Sequence, residues 1–318
     1  MSWAGSTNLY KGVFLLKRKT ELKIPEKKIT RLRLWDERVN RGEVLGFDFE
    51  VTARCQNNCR HCSVNLPAHD RDAQKRELSL AQITDLADQA VDLGIFWCLL
   101  TGGEPLLRPD FSEIFLLFKK KGFLVSVFTN AGLVTPAIAE LFRKYPPRDL
   151  EVTVYGATSE TYEKVTRVPG SFAAFQRGLH FLSEAGVTPI LKTMVVRSNA
   201  HEIERIAEFC RGHSPHVFRY DSLLSLRSDR NIERNQDIIA ERLSPEEIVL
   251  IEGRDEAKKK EIRHSCKKAT LPDSPQTDKL FFPCSAGLGS FSIRYDGTFC
   301  LCPNLLHPTC VNDLTTGS

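Results

Sequence analysis

No apolar run in this 318-residue chain approaches the roughly 18 residues that a membrane-spanning helix needs. The first residues, Met1 to Tyr10, lack the charged-then-apolar order of a secretory signal. Both absences point to the cytoplasm, with no membrane partner. A strong charge of one sign is missing too. Lys and Arg number 44 against 40 Asp and Glu, and a net charge of +4 is too small to argue for nucleic acid. Cysteine, by contrast, is plentiful. The ten fall into two groups, Cys55/Cys59/Cys62 and Cys284/Cys300/Cys302/Cys310, with singles at Cys98, Cys210 and Cys266. A disulfide framework suits a short secreted chain, whereas in a reducing compartment such groups read as metal ligands. Hydrophobic residues make up 42% of the chain, enough to bury a full α/β core with a small appendage.

Apolar strand-like runs alternate with amphipathic helical ones, the pattern of repeated βα units on a parallel sheet. Six strands are predicted: Phe47–Ala53, Ile95–Thr101, Leu124–Phe128, Leu150–Tyr155, Pro189–Val196 and Val217–Asp221. Helix starts are marked by Ser79 with Gln82, by Thr135-Pro136 and by Ser244-Pro245-Glu246-Glu247, and helix stops by Gly94, Gly122 and Gly186. Six units are two short of a closed eight-stranded barrel. The expected fold is therefore α/β, a partial (β/α)6 barrel that collects its ligands at the carboxyl ends of the strands. It divides into an N-terminal segment (1–46), the barrel core (47–226), a charged helical linker (227–279) with Pro272 and Pro275, and a cysteine-rich β-hairpin extension (280–318) around Asp296-Gly297.

Cys55, Cys59 and Cys62 follow the first strand in the run Cys-Gln-Asn-Asn-Cys-Arg-His-Cys. A structural zinc or a simple electron-transfer cluster takes four protein ligands, whereas three thiolates on a four-iron cluster leave one iron open. On spacing alone, a zinc site completed by His61 is the competing reading. Thr101-Gly102-Gly103-Glu104-Pro105 closes the second strand. Paired glycines there let backbone approach a ligand, and a carboxylate accepts from an ammonium group, although the same residues also make an ordinary strand-to-loop turn.

A Cys-x3-Cys-x2-Cys loop followed about forty residues later by Gly-Gly-Glu-Pro resembles the radical S-adenosylmethionine enzymes. The resemblance implies that Cys55, Cys59 and Cys62 hold a [4Fe-4S] cluster with an open iron. It implies further that Gly102, Gly103, Glu104 and Pro105 bind S-adenosylmethionine, with Glu104 at its amino group, and that His61 packs beside cluster and adenine. Asn130 and Lys192 match strand-end positions that touch cofactor or substrate in the family. No catalytic residue is assigned. Cys284, Gly297 and Cys302 resemble the opening half of the SPASM or Twitch extension, which implies an auxiliary iron-sulfur cluster drawing also on Cys310, with Cys300 offset from the matching position; a zinc knuckle is the alternative there. The implied activity is reductive cleavage of S-adenosylmethionine to a 5′-deoxyadenosyl radical that abstracts hydrogen from a peptide or protein substrate. The implied partners are that substrate, a separate leader-recognition protein, and an electron donor such as a flavodoxin or ferredoxin. A radical enzyme acting on a small molecule, and an iron-sulfur protein without radical chemistry, remain open.

Overall fold

The computed structural model describes residues 41–254, 259–260, 263–264, 287–305 and 307–316. The segment up to residue 40, together with Cys266, Pro272, Pro275 and Cys284, lies outside the described residues.

Six parallel strands run in sequence order across one sheet: β1 Gly46–Thr52, β2 Trp97–Gly102, β3 Leu124–Thr129, β4 Leu150–Thr153, β5 Ile190–Met194 and β6 Arg219–Asp221. All six expected strands are present, with ends differing by up to two residues. Alternation explains the layering. Phe47, Phe49 and Val51 are buried beneath the helices, while Asp48 and Glu50 turn to the opposite, concave face. The outer layer is built to match. Helix α1, Phe111–Lys120, presents Phe111, Ile114, Phe115 and Phe118 at helical spacing, and the Phe118 ring meets those of Phe47 and Phe49 edge-on at 6.0 and 6.3 Å.

The helix signals behave as their chemistry demands. Ser79 and Gln82 form a reciprocal capping box, as do Ser244 and Glu247, and the Thr135 side chain caps a helix with Pro136 in its first turn. Gly94, Gly122 and Gly186 follow helix ends with φ of 73, 89 and 71°, the left-handed region where a side chain would be strained.

The Asp296-Gly297 hairpin is present as β7, Ser290–Ile293, and β8, Thr298–Cys300, and it lengthens the main sheet. Strand β7 pairs in parallel with β1 from Gly46↔Ser290 to Phe49↔Ile293, and the Phe47 and Phe291 rings stack at 5.5 Å. A further strand, β9 Val311–Asp313, pairs antiparallel with β8 and completes a nine-stranded sheet of order β9-β8-β7-β1-β2-β3-β4-β5-β6. No helix among the described residues is long and apolar enough to cross a membrane.

Candidate functional site

The cysteine loop leaves the carboxyl end of β1 and is held on every side. Asn58 N and Arg60 N donate to Thr166 O and Val165 O at 2.9 and 3.2 Å. Asn57 N points at Cys55 Sγ and Asn65 N at Cys62 Sγ, both at 3.4 Å, and Asn130 Nδ2 reaches Cys55 Sγ at 3.7 Å. N–H donors directed at sulfur are the surroundings that ligating cysteines of an iron-sulfur cluster take, so the donor set fits such a group. Among the described residues no cluster of His, Cys, Asp or Glu gathers about a single ion. Burial pushes the Cys55 and Cys59 thiols up, with the Glu104 carboxylate adding to the effect at Cys55. Ligation must therefore expel protons from these thiols.

The Gly-Gly-Glu-Pro turn is locked onto that loop, backbone to backbone. Gly103 N donates to Thr52 O at 2.8 Å and Glu104 N to Arg54 O at 2.9 Å. A Cβ on Gly102 would stand 2.1 Å from Thr52 O, and one on Gly103 would stand 2.3 Å from Arg54 O. The close approach that requires these glycines is thus to the start of the cysteine loop itself, a role the sequence reading did not assign.

Glu104 is fully buried and accepts from Thr129 Oγ1 at 2.7 Å, Asn130 N at 2.8 Å and Leu106 N at 3.1 Å. The carboxylate joins the ends of β2 and β3. Asn130 then joins both to the loop, since its Oδ1 accepts from Gln56 Nε2 at 2.7 Å. His61 is buried beside Tyr155, ring centroids 5.4 Å apart, and its Nδ1 has no hydrogen-bond partner.

Burial moves two of these groups in opposite directions. It lifts Glu104 from 4.5 to about 7, against the hydrogen bonds of Asn130, Thr129 and Leu106, and it lowers His61 from 6.5 to about 4. In the folded chain Glu104 keeps a proton that the unfolded chain sheds, so its contribution to stability falls as pH rises from 4.5 to about 7. His61 stays neutral in the fold while the unfolded chain protonates, so its contribution falls as pH drops from 6.5 to about 4. The two largely offset each other in the wild type. Glu104→Gln should remove the first, so that apoprotein stability climbs more steeply between about pH 5 and about 6.5, by up to roughly 2 kcal/mol. Urea unfolding at the two pH values measures this; equal slopes would show that Glu104 is ionised in the fold.

The segment after β6 supplies residues that the sequence reading missed. Helix α2, Ile232–Glu241, turns Arg234, Asp237 and Glu241 toward the cysteine loop, at i, i+3 and i+7. Arg234 donates to Asn58 Oδ1 at 2.9 Å, Cys59 O at 3.1 Å and Asn65 Oδ1 at 2.8 Å. Glu241 meets Arg60 Nε at 2.7 Å, and Asp237 pairs with both Arg60 and Arg167. Arg227 adds a bond to Asn65 O at 3.0 Å. The helical charge spacing was a readable signal; its target was not. Arg234→Met should loosen the loop, lowering the melting temperature by roughly 4–8 °C for the loss of about 2 kcal/mol. Scanning calorimetry of the apoprotein would read it, and an unchanged melt would mean that the helix rests on the loop without holding it.

Lys192 stands apart from this assembly. Its Nζ pairs with Glu151 at 2.6 Å and lies 3.3 Å from the Phe128 ring centroid, lining a cavity of about 530 Å³ on the concave face. At the other edge of the sheet Cys300 is fully buried, whereas Cys302 and Cys310 are half-buried. Cys302 follows β8 by two residues and Cys310 directly precedes β9, so the two stand near opposite ends of the connection between these paired strands.

Sequence comparison matches residues 49–210 to the Radical SAM superfamily. An AdoMet-dependent heme synthase from Methanosarcina barkeri is 32% identical over 163 residues, covering 51% of this chain and 46% of that protein. The mycofactocin maturase MftC of Mycolicibacterium smegmatis is 29% identical over 191 residues, 60% of this chain and 46% of MftC. The matches thus span about half the length of these curated relatives. Among solved structures, Streptococcus suis SuiB bound to S-adenosylmethionine shares the fold with a TM-score of 0.59 at 13% identity, covering 85% of this chain and 64% of SuiB. SuiB bound to its precursor peptide SuiA gives the same TM-score at 14% identity, covering 93% and 68%.

Proposed function

The chain belongs to the radical SAM superfamily, and from that premise we propose that it cleaves S-adenosylmethionine reductively and modifies a peptide or protein. One observation carries the first half of this reading. Three stretches far apart in sequence, the cysteine loop, Gly102–Pro105 and Asn130, meet in one hydrogen-bonded unit at the carboxyl end of the sheet.

Cys55, Cys59 and Cys62 would hold the [4Fe-4S] cluster, with S-adenosylmethionine bound beside it. When bound, the pair supplies a 5′-deoxyadenosyl radical for hydrogen abstraction, with the electron coming from a donor such as a flavodoxin or ferredoxin. The protein's own part is placement. Glu104 fixes the ends of β2 and β3, and Gly102 and Gly103 hold the cysteine loop against β2; His61, whose Nδ1 has no hydrogen-bond partner, is the residue assigned to the adenine. Cys302 and Cys310 are assigned to an auxiliary cluster, with Cys284 as a further ligand. Cys300 is structural, its thiol donating to Ser292 O within the sheet.

The peptide half of the reading draws on MftC, a maturase, and on SuiB, solved with a precursor peptide. The identity to heme synthases favours a second reading, a small-molecule substrate. Dithionite-reduced, anaerobically purified protein incubated with S-adenosylmethionine should form 5′-deoxyadenosine. Brown, iron-loaded protein that forms none would overturn the radical assignment.

A further inference from the structure

The cavity on the concave face has a charge pattern that its own residues do not resolve. Four carboxylates and two cations line it, and both cations, Lys192 and Arg219, are taken up by a single carboxylate, Glu151. Asp149 accepts from Ser126 Oγ at 3.0 Å and lies 3.5 Å from Arg148, and Asp221 accepts from Leu223 N at 2.8 Å. The Asp48 side chain has neither a hydrogen bond nor an ion pair among the described residues, although burial already pushes its carboxyl up. An unpaired, partly desolvated carboxylate costs stability unless a ligand supplies the counter-charge.

The walls beside it are apolar. Leu99 is the cross-strand neighbour of Asp48, and Trp97 and Phe128 complete that side of the cavity. Thr52, where the cysteine loop begins, lies four residues further along β1, roughly 13 Å away at strand rise. A cavity whose wall of Trp97, Leu99 and Phe128 stands beside a carboxylate without a counter-charge is the complement of an aliphatic stem that ends in a cation.

We propose that this cavity receives a lysine or arginine side chain of the peptide substrate, with Asp48 as the partner of its charged tip. The proposal rests on the peptide reading above and adds a residue class to it.

Binding is measured on the full chain without S-adenosylmethionine, by calorimetry or ligand-observed NMR, with N-acetyl-lysine amide and its uncharged counterpart N-acetyl-norleucine amide as probes. The lysine probe should bind about tenfold more tightly, the equivalent of about 1.4 kcal/mol. Asp48→Asn should erase the preference and Asp48→Glu should retain most of it. Loss of an unpaired charge leaves Asp48→Asn at least as stable as wild type, which a thermal melt verifies. Equal affinity for the two probes, no binding of either, or a preference that survives in Asp48→Asn overturns the proposal. Because these measurements need neither cluster nor cofactor, their failure is distinct from a failure to form 5′-deoxyadenosine.

Discussion

Replacing Cys55, Cys59 and Cys62 together with alanine abolishes 5′-deoxyadenosine formation and removes the iron of the first site. The effect is expected to be total, since no other described residue stands ready to take over. The loop carries three thiols, two of them buried, and the neighbouring donors, Asn57 N, Asn65 N and Asn130 Nδ2, serve sulfur and cannot themselves bind iron. Alanine leaves Asn57 N and Asn65 N without those acceptors, whereas Asn130 Nδ2 still donates to Gln56 Oε1, and the backbone anchors to Thr166 and Val165 remain, so the fold should survive. Iron determination and anaerobic turnover with dithionite test both halves. Wild-type levels of 5′-deoxyadenosine from the triple variant would sink the site assignment, whereas iron that remains at the C-terminal cysteines is the expected remainder.

A single methyl group at Gly103 should do almost as much damage. Its Cβ would meet two backbone oxygens, Arg54 O at 2.3 Å and Ala53 O at 2.5 Å, and neither can swing aside as a flexible side chain would. Gly103→Ala must push the second strand away from the cysteine loop, at a cost of about 3 kcal/mol. That corresponds to a fall of roughly 6–12 °C in Tm, and iron occupancy should fall with it. Gly212→Ala is the control. It lies inside the helix Ile203–His213 with nothing within 4 Å of the added atom, so it should be neutral or slightly stabilising. If Gly103→Ala melts with wild type and holds full iron, the packing account of the Gly-Gly pair is wrong.

These two tests also mark where sequence stops informing. The six core strands were legible because each is a local event: Phe47, Phe49 and Val51 alternating with Asp48 and Glu50 carry their own period, and Ser79, Thr135 and Ser244 cap the helices that follow them. The cysteine loop and Gly-Gly-Glu-Pro were legible as a spaced pattern. What the pattern does not encode is which atoms the glycines approach, since a clash between Gly102 and Thr52 exists only after β1 and β2 have paired. The same holds for Arg234, Asp237 and Glu241. A charged helical face with this spacing usually faces water, and only the tertiary path of the chain lays it on Asn58, Cys59 and Arg60. Lys192 shows the opposite limit. It was singled out for its strand position, and the fold gives it a partner, Glu151, which no local pattern connects to it.

The pairing of Gly46 with Ser290 has a consequence for how the protein is made. During synthesis the ribosome releases β1 and the five parallel strands long before β7 exists, so one edge of β1 stays uncovered while most of the chain emerges. Contacts spanning that much sequence form late, because closing so long a loop costs entropy before any pairing repays it. An uncovered apolar edge is a template for pairing with another nascent copy. The last strands therefore act as a seal, and the connection bearing Cys302 and Cys310 is anchored only when that seal is in place.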